Sequence, residues 1–212
     1  MSHAELETPE PTPGGDTPAA AAVRKRPKPG ERRVQILQAL ATMLEQPGAE
    51  RITTAALAAR LEVSEAALYR HFASKAQMFE GLIEFIEQSV FTLINQIAER
   101  EAAGPAQAGR IVAMLIQFAE KNPGMTRVMV GDALVFENER LQQRMNQFFD
   151  KVEASLKQCL RASADAATPT VDAQVRASVM TAFIVGRLQR FARSGFKRMP
   201  SEHLEASLSR ML

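Results

Sequence analysis

The stretch from Arg51 to Lys75, RITTAALAARLEVSEAALYRHFASK, constrains the fold more than any other part of the chain. Its first half is rich in small residues, Ala55, Ala56, Ala58 and Ala59, which let a short helix approach a neighbour closely. Leu57, Leu61 and Val63 supply an apolar seam, and Glu62 falls in a turn. Ser64 is a natural N-cap, because its hydroxyl oxygen accepts a backbone N–H that the first helical turn leaves unpaired. Leu68 and Phe72, four residues apart, share one helix face and point inward. Ser64, Glu65, Ala67, Tyr69, Arg70 and His71 are left on outward or end-on positions. Ser74 with Gln77 reads as a capping box that opens the next helix. The pattern predicts two short helices, about Thr54–Arg60 and Ser64–His71, joined as a helix-turn-helix.

In such a unit the second helix lies in the major groove of DNA, its N-terminal residues against base edges. Ser64 and Glu65 can hydrogen-bond there, and Ala66 and Ala67 permit close approach or touch a thymine methyl. Tyr69 and Lys75 suit phosphate, with Thr53 and Thr54 on the flanking strand. Arg51, Arg70 and His71 complete the candidate DNA-binding set. Charge agrees with this placement. Residues 24–79 hold 10 Lys and Arg against 5 Asp and Glu, whereas residues 80–212 hold 16 against 15. The net charge of +2 for the whole chain points to no partner, so the local cluster decides. A plain alanine-rich helical hairpin fits the pattern too, with Tyr69 at the rim of a core. The basic run 24–33 reads equally as a solvated charge cluster or as an arm that tracks DNA.

Elsewhere the apolar residues recur at helical period, and no run shows the alternation of a half-buried strand. The class is all-α. Residues 1–30 stand apart: six of the eleven prolines fall there, with almost no large apolar residues, which predicts a disordered tail with a basic end. Further helices are predicted at about Arg32–Glu45, Lys75–Arg100, 106–121, 124–131, Glu137–Arg161, 172–194 and 202–211. Pro47-Gly48, Gly104-Pro105 and Pro123-Gly124 separate some of them. The domains expected are the tail 1–30, a DNA-binding head 31–79 and a helical body 80–212.

Several function classes are excluded at this level. No apolar run approaches the ~20 residues of a membrane span, and the N-terminus lacks the basic-then-apolar pattern of a secretory signal, so a cytoplasmic protein is expected. One cysteine, Cys159, rules out an internal disulfide and any Cys-based zinc site. Three widely separated histidines make no metal site, and no catalytic constellation or phosphate-cradling glycine loop emerges. No cofactor, no metal and no enzymatic activity are expected.

The run Thr53-Thr-Ala-x-Leu-Ala, then Val63-Ser-Glu-Ala-Ala-Leu-Tyr-Arg-His-Phe-x-Ser-Lys75, resembles the N-terminal signature of the TetR family of bacterial DNA-binding dimers. Met78-Phe79, Leu82-Ile-Glu-Phe-Ile-Glu87, Asn122-Pro-Gly, Ala133-Leu-x-Phe-Glu137 and Phe191-x-Arg-Ser-x-Phe-Lys197 resemble the nucleoid occlusion branch of that family. The resemblance implies a three-helix head on a larger helical body that dimerises through its last two long helices. It also implies a protein that sits on sites spread over the chromosome and antagonises polymerisation of the division protein FtsZ. The partner surface so implied includes helix 75–100 and the facing helix 106–121, with Phe85, Met114, Lys121 and Asn122. Leu93 stands where the branch tends to have arginine, and Gln117 where it has glycine.

The body carries signals of its own. In 172–194, Val175, Val179, Phe183 and Gly186 mark one face and Ile184, Leu188 and Phe191 another. A helix apolar on two faces needs two partners, and burial within one subunit or pairing with a second copy both supply them. A palindrome-reading head favours the second, which makes Val179, Phe183 and Gly186 the candidate dimer interface. In 75–100, Phe79, Leu82, Ile83, Ile86, Val90, Leu93, Ile94 and Ile97 form one stripe. Phe85 and Phe91 fall off it, either as exposed anchors for a partner or as packing against a neighbouring element. A TetR-type repressor released by a small apolar ligand is the alternative function.

Overall fold

The computed structural model describes residues 30–46, 52–161 and 169–212, and every regular element among them is helical. In chain order these are α1 (Glu31–Leu44), α2 (Thr54–Arg60), α3 (Glu65–Tyr69), α4 (Lys75–Arg100) and α5 (Pro105–Lys121). Then follow α6 (Pro123–Met129), α7 (Glu139–Arg161), α8 (Pro169–Arg193) and α9 (Leu204–Met211), with a 3-10 turn at Asp132–Leu134 before α7. The tail up to residue 29, the Pro47-Gly48 break and Arg51 lie outside the described residues. Among those described, no helix is long and apolar enough to cross a membrane.

Helix starts follow local chemistry. Thr53, Ser64 and Ser74 each cap their helix by accepting the N–H three residues on, from Ala56, Ala67 and Gln77. The capping box at α4 is displaced by one residue: the Gln77 carboxamide oxygen accepts from Ala73 N, at 2.9 Å, rather than from Ser74. Pro105 and Pro123 stand at the first turns of α5 and α6, where no N–H is missed. α7 starts two residues later than predicted because Asn138 caps it, its side-chain oxygen accepting from Arg140 N at 3.0 Å.

The first three helices and the start of α4 enclose Ile36, Leu40, Leu44, Leu57, Leu68, Phe72 and Phe79, all buried. Of the small residues in α2 only Ala58 enters this seam; Ala55, Ala56 and Ala59 face outward. α4 runs unbroken out of this head into the body, so a boundary at residue 79 falls inside a helix. There Leu82, Ile83, Ile86 and Val90 meet Ile111, Val112, Leu115 and Ile116 of α5 and Phe148 and Val152 of α7 in one continuous core.

Head and body also meet through α6. A Cβ on Gly124 would stand 1.9 Å from the Ala41 carbonyl oxygen of α1, so only glycine allows the two helices this close. Ion pairs tie α4 to the start of α7 and the segment just before it: Lys75 to Glu137, Glu80 to Arg140 and Glu87 to Arg144. The hydrogen bond from Arg144 to Glu87 raises the guanidinium pKa above its ordinary value, against the cost of partial burial. α7 and α8 form an antiparallel hairpin, with Gln174 Nε2 donating to Glu153 Oε1 at 2.7 Å.

Candidate nucleic-acid interface

The turn between α2 and α3 is made by Glu62, which takes a left-handed backbone (φ 53°), and by Val63, whose N–H returns to the Ala58 carbonyl at 3.0 Å. This locks α3 across α2 and turns one edge of both helices to solvent. Thr53, Ser64, Glu65, Ala66, Tyr69, Arg70 and His71 are all exposed on it, while Thr54 and Ala67 are half-buried.

Three of these side chains are organised before any partner arrives. Thr54 Oγ1 donates to Glu65 Oε2 at 2.6 Å, and the Tyr69 hydroxyl reaches Thr54 Oγ1 at 3.5 Å. The chain Tyr69–Thr54–Glu65 therefore spans α2 and α3. Glu65 is exposed all the same, and Tyr69 remains 45% exposed. The recognition element is shorter than expected, ending at Tyr69, with Arg70 and His71 in the turn that follows. That turn is held from α1: Arg33 donates to the His71 carbonyl and lies over the Phe72 ring, 4.1 Å from its centroid. No signal in the sequence marked Arg33 for this role, since the contact is tertiary.

Lys75 is placed differently from the phosphate contact expected of it. Its ammonium lies 2.5 Å from Glu137 Oε1 and 5.7 Å from the Phe79 ring centroid, and the side chain is mostly covered. Glu137, which arrives from the segment before α7, neutralises the charge and draws the side chain toward the body. Lys75 is a tie between head and body in this conformation.

The expected partner residues fall on the α4–α5 hairpin. Phe85 is 48% exposed on α4. Phe91, its companion off the core stripe, is half-buried and packs edge-on against Phe148 of α7, with ring centroids 5.6 Å apart, at the edge of the core. Met114 lines an open cleft of about 420 Å³ with Leu93, Gln96, Ile97 and Gln117. Lys121 is exposed at the end of α5. Asn122 has a local task as well: its Nδ2 donates to the Phe118 carbonyl at 2.8 Å, at the junction between α5 and α6.

On α8 the two predicted faces separate. Ile184, Leu188 and Phe191 are buried in the protomer. Val171, Val175 and Val179 are 62%, 58% and 51% exposed, and a Cβ on Gly186 would meet nothing within 4 Å. Phe183 is half-buried beneath the Arg187 guanidinium, 4.9 Å from the ring centroid.

Residues 36–82 match the family described as bacterial regulatory proteins, tetR family, and residues 106–211 match the tetracyclin repressor-like C-terminal domain of SlmA-like proteins. The chain is 51% identical over 177 residues to nucleoid occlusion factor SlmA of Idiomarina loihiensis, covering 82% of this chain and 90% of that protein. It is 49% identical over 180 residues to nucleoid occlusion factor SlmA of Aliivibrio fischeri, covering 84% and 92%. Among solved structures, the transcriptional regulator FadR of Bacillus subtilis in complex with stearoyl-CoA superposes with a TM-score of 0.66 at 13% identity, covering 84% of this chain and 96% of that one. The fatty acid degradation regulator FadR of Bacillus halodurans gives 0.71 at 12%, covering 88% and 97%. At such low identity these two likenesses show the fold alone.

Proposed function

The chain belongs to the TetR family of DNA-binding regulators and, within it, to the nucleoid occlusion factors, and from that membership we propose that it works as a dimer on palindromic chromosomal sites and there antagonises FtsZ polymerisation. In this reading it resides in the cytoplasm on the nucleoid and prevents septum formation over it. One observation carries the proposal most directly. A polar recognition edge, preset by the Tyr69–Thr54–Glu65 chain, sits on the same molecule as an exposed phenylalanine, Phe85, on the body.

The division of labour follows from chemistry. On DNA, Ser64, Glu65, Ala66 and Ala67 meet base edges, while Thr53, Thr54, Tyr69, Arg70 and His71 meet the backbone. Phe85 on α4 and Lys121 at the end of α5 are both exposed and offer an aromatic anchor and a positive charge. Met114 continues that face along α5, one turn beyond Gln117. The outward face of α8, with Val179, Phe183 and Gly186, joins two copies, so that two heads read one palindrome.

The alternative, a repressor released by a small apolar ligand, needs an enclosed apolar chamber. The clefts of about 420 and 410 Å³ in this body are open at the surface and bordered by Glu101, Arg110 and Glu205. Light scattering of FtsZ polymers tests the reading: the full chain with chromosomal DNA fragments carrying its sites should shorten or disperse polymers that persist without it. Polymers indifferent to the DNA-bound protein would overturn it.

A further inference from the structure

The block Phe191-x-Arg-Ser-x-Phe-Lys197 takes no part in the functions above, yet the structure builds it with care. From Arg187 to Arg198 the chain carries five basic residues and no acidic one. Ser194 Oγ accepts from Lys197 N at 3.2 Å and from Arg198 N at 2.9 Å, and Gly195 and Phe196 both take left-handed backbone (φ 62° and 63°). A non-glycine residue at such a φ is costly and persists where surrounding contacts enforce it. Here the Phe196 ring packs edge-on against Phe191, at 5.1 Å, and beneath the Arg127 guanidinium, at 5.0 Å.

Beyond the turn, Arg187, Arg190, Arg198 and His203 line a cleft of about 300 Å³ with Met199, Pro200 and Glu202. Arg187 is immobilised by the Glu202 carbonyl, at 2.8 Å, and by Ser207 Oγ, at 3.2 Å. Arg190, Arg193, Lys197 and Arg198 form no ion pair among the described residues. Four such cations on one short segment repel each other in the free protein, and a polyanion relieves that repulsion.

Three anchors locate this cluster at the end of the body nearest the head. Along the α7–α8 hairpin, the step from Gln174 to Leu188 equals the step from Glu153 back to Glu139, so Arg190 lies just past the level at which α7 begins, close in sequence to the Glu137 that holds Lys75. Arg127, over Phe196, belongs to α6, the helix whose Gly124 abuts α1. Ser201 N donates to Glu120 Oε1, at 3.0 Å, at the end of α5. Arg190 and Arg193 also continue the outward face marked by Val175, Val179 and Gly186, at helical spacing. In the dimer the cations of two protomers would gather between the two heads.

We propose that the basic end of α8 and its following turn, with Arg190, Lys197 and Arg198 as phosphate ligands, form a second, sequence-independent contact to the DNA backbone. This rests on the head being the specific DNA reader, and the test separates the two ideas. Binding of the full chain to a fluorescent 40-base-pair duplex of arbitrary sequence is followed by anisotropy at several KCl concentrations. The slope of log K against log salt should fall by about 0.9 for each lost contact. The triple variant Arg190→Gln, Lys197→Gln, Arg198→Gln should therefore flatten the slope by roughly 2 to 3 and weaken binding tenfold or more at 0.1 M salt. The single variant Lys197→Gln, at an exposed side chain, should flatten it by about one unit and covers the case in which the triple variant fails to fold.

A control triple, Lys151→Gln, Lys157→Gln, Arg161→Gln, removes the same charge from α7 beyond its first turns and should leave the slope unchanged. Parental slopes for both the triple and Lys197→Gln would overturn the proposal, as would an equal loss in the control, which would mean net charge alone. Calorimetric binding of pyrophosphate that the triple abolishes, with an unchanged DNA slope, would also overturn it and assign a small-anion site. Tyr69→Ala run in parallel keeps the premise separate: if it binds DNA as the parent does, the head assignment has failed instead.

Discussion

Two outward faces of this molecule are exposed for opposite reasons. The edge of α2 and α3 shows solvent hydroxyls, a carboxylate, a guanidinium and alanines, groups that water satisfies at no cost. The outward face of α8 shows it Val171, Val175 and Val179 beside the bare backbone of Gly186. The first face is complete as it stands and exchanges water for DNA. The second stays in contact with water at a cost of roughly 25 cal/mol for each Å² of apolar surface until something covers it. A surface of the first kind confers specificity, and one of the second kind confers assembly.

The sharpest way to break this comparison is Gly186→Glu. In the lone protomer the new side chain has open space and a better helix former replaces glycine, so the monomer should gain about 0.5 to 1 kcal/mol. In a dimer it forces the two copies of α8 apart and buries a carboxylate that only Arg190, one turn on, can offset, a loss that corresponds to roughly tenfold to a hundredfold weaker association. Sedimentation should show monomers with unimpaired melting. A variant that still sediments as a dimer would place the interface on another face.

Next in size is the contrast between Phe85 and Phe91, six residues apart on α4. Phe91→Ala removes the ring that meets Phe148 and should cost roughly 2 to 3 kcal/mol of stability, visible as a lower melting temperature. Phe85→Ala should change stability by no more than about 0.5 kcal/mol, keep DNA affinity and lose FtsZ antagonism. A stable Phe85→Ala protein that binds DNA and still disperses FtsZ polymers would remove this residue from the partner surface.

That pair also shows how far the sequence could be read. Both phenylalanines lie off the same apolar stripe, and the angle on the helix cannot say that α7 brings Phe148 to one of them while the other stays 48% exposed. The head was legible because its rules are local: Ser64 and Thr53 cap within three residues, and Leu68 and Phe72 share a face within one turn. The outward apolar face of α8 was legible for a similar reason, being a periodicity within one helix. Lys75 was not, because its partner, Glu137, lies 62 residues away and reaches it through the fold. The basic end of α8 stood in the sequence as part of a family block, but its position beside the head depends on the α7–α8 hairpin and on α6.

The smallest expected effects sit where the two halves of the molecule meet, at Tyr69 and Lys75. Tyr69 belongs to the recognition edge, so Tyr69→Ala should weaken binding to all sequences about tenfold, the equivalent of one hydrogen bond to a charged group, with no change in melting. Lys75 is bound to Glu137 and covered, so Lys75→Ala should leave the salt dependence of DNA binding as it is. Its effect should appear as a lower melting temperature, by a few degrees at most, because an ion pair near the surface contributes about 1 kcal/mol or less. Glu137→Gln should reproduce that shift, since either variant dissolves the same tie. If Lys75→Ala instead flattens the salt slope by about one unit while melting stays put, the lysine leaves Glu137 for phosphate on DNA. The head would then let go of the body when it binds, and the two faces contrasted above would be coupled through this one side chain.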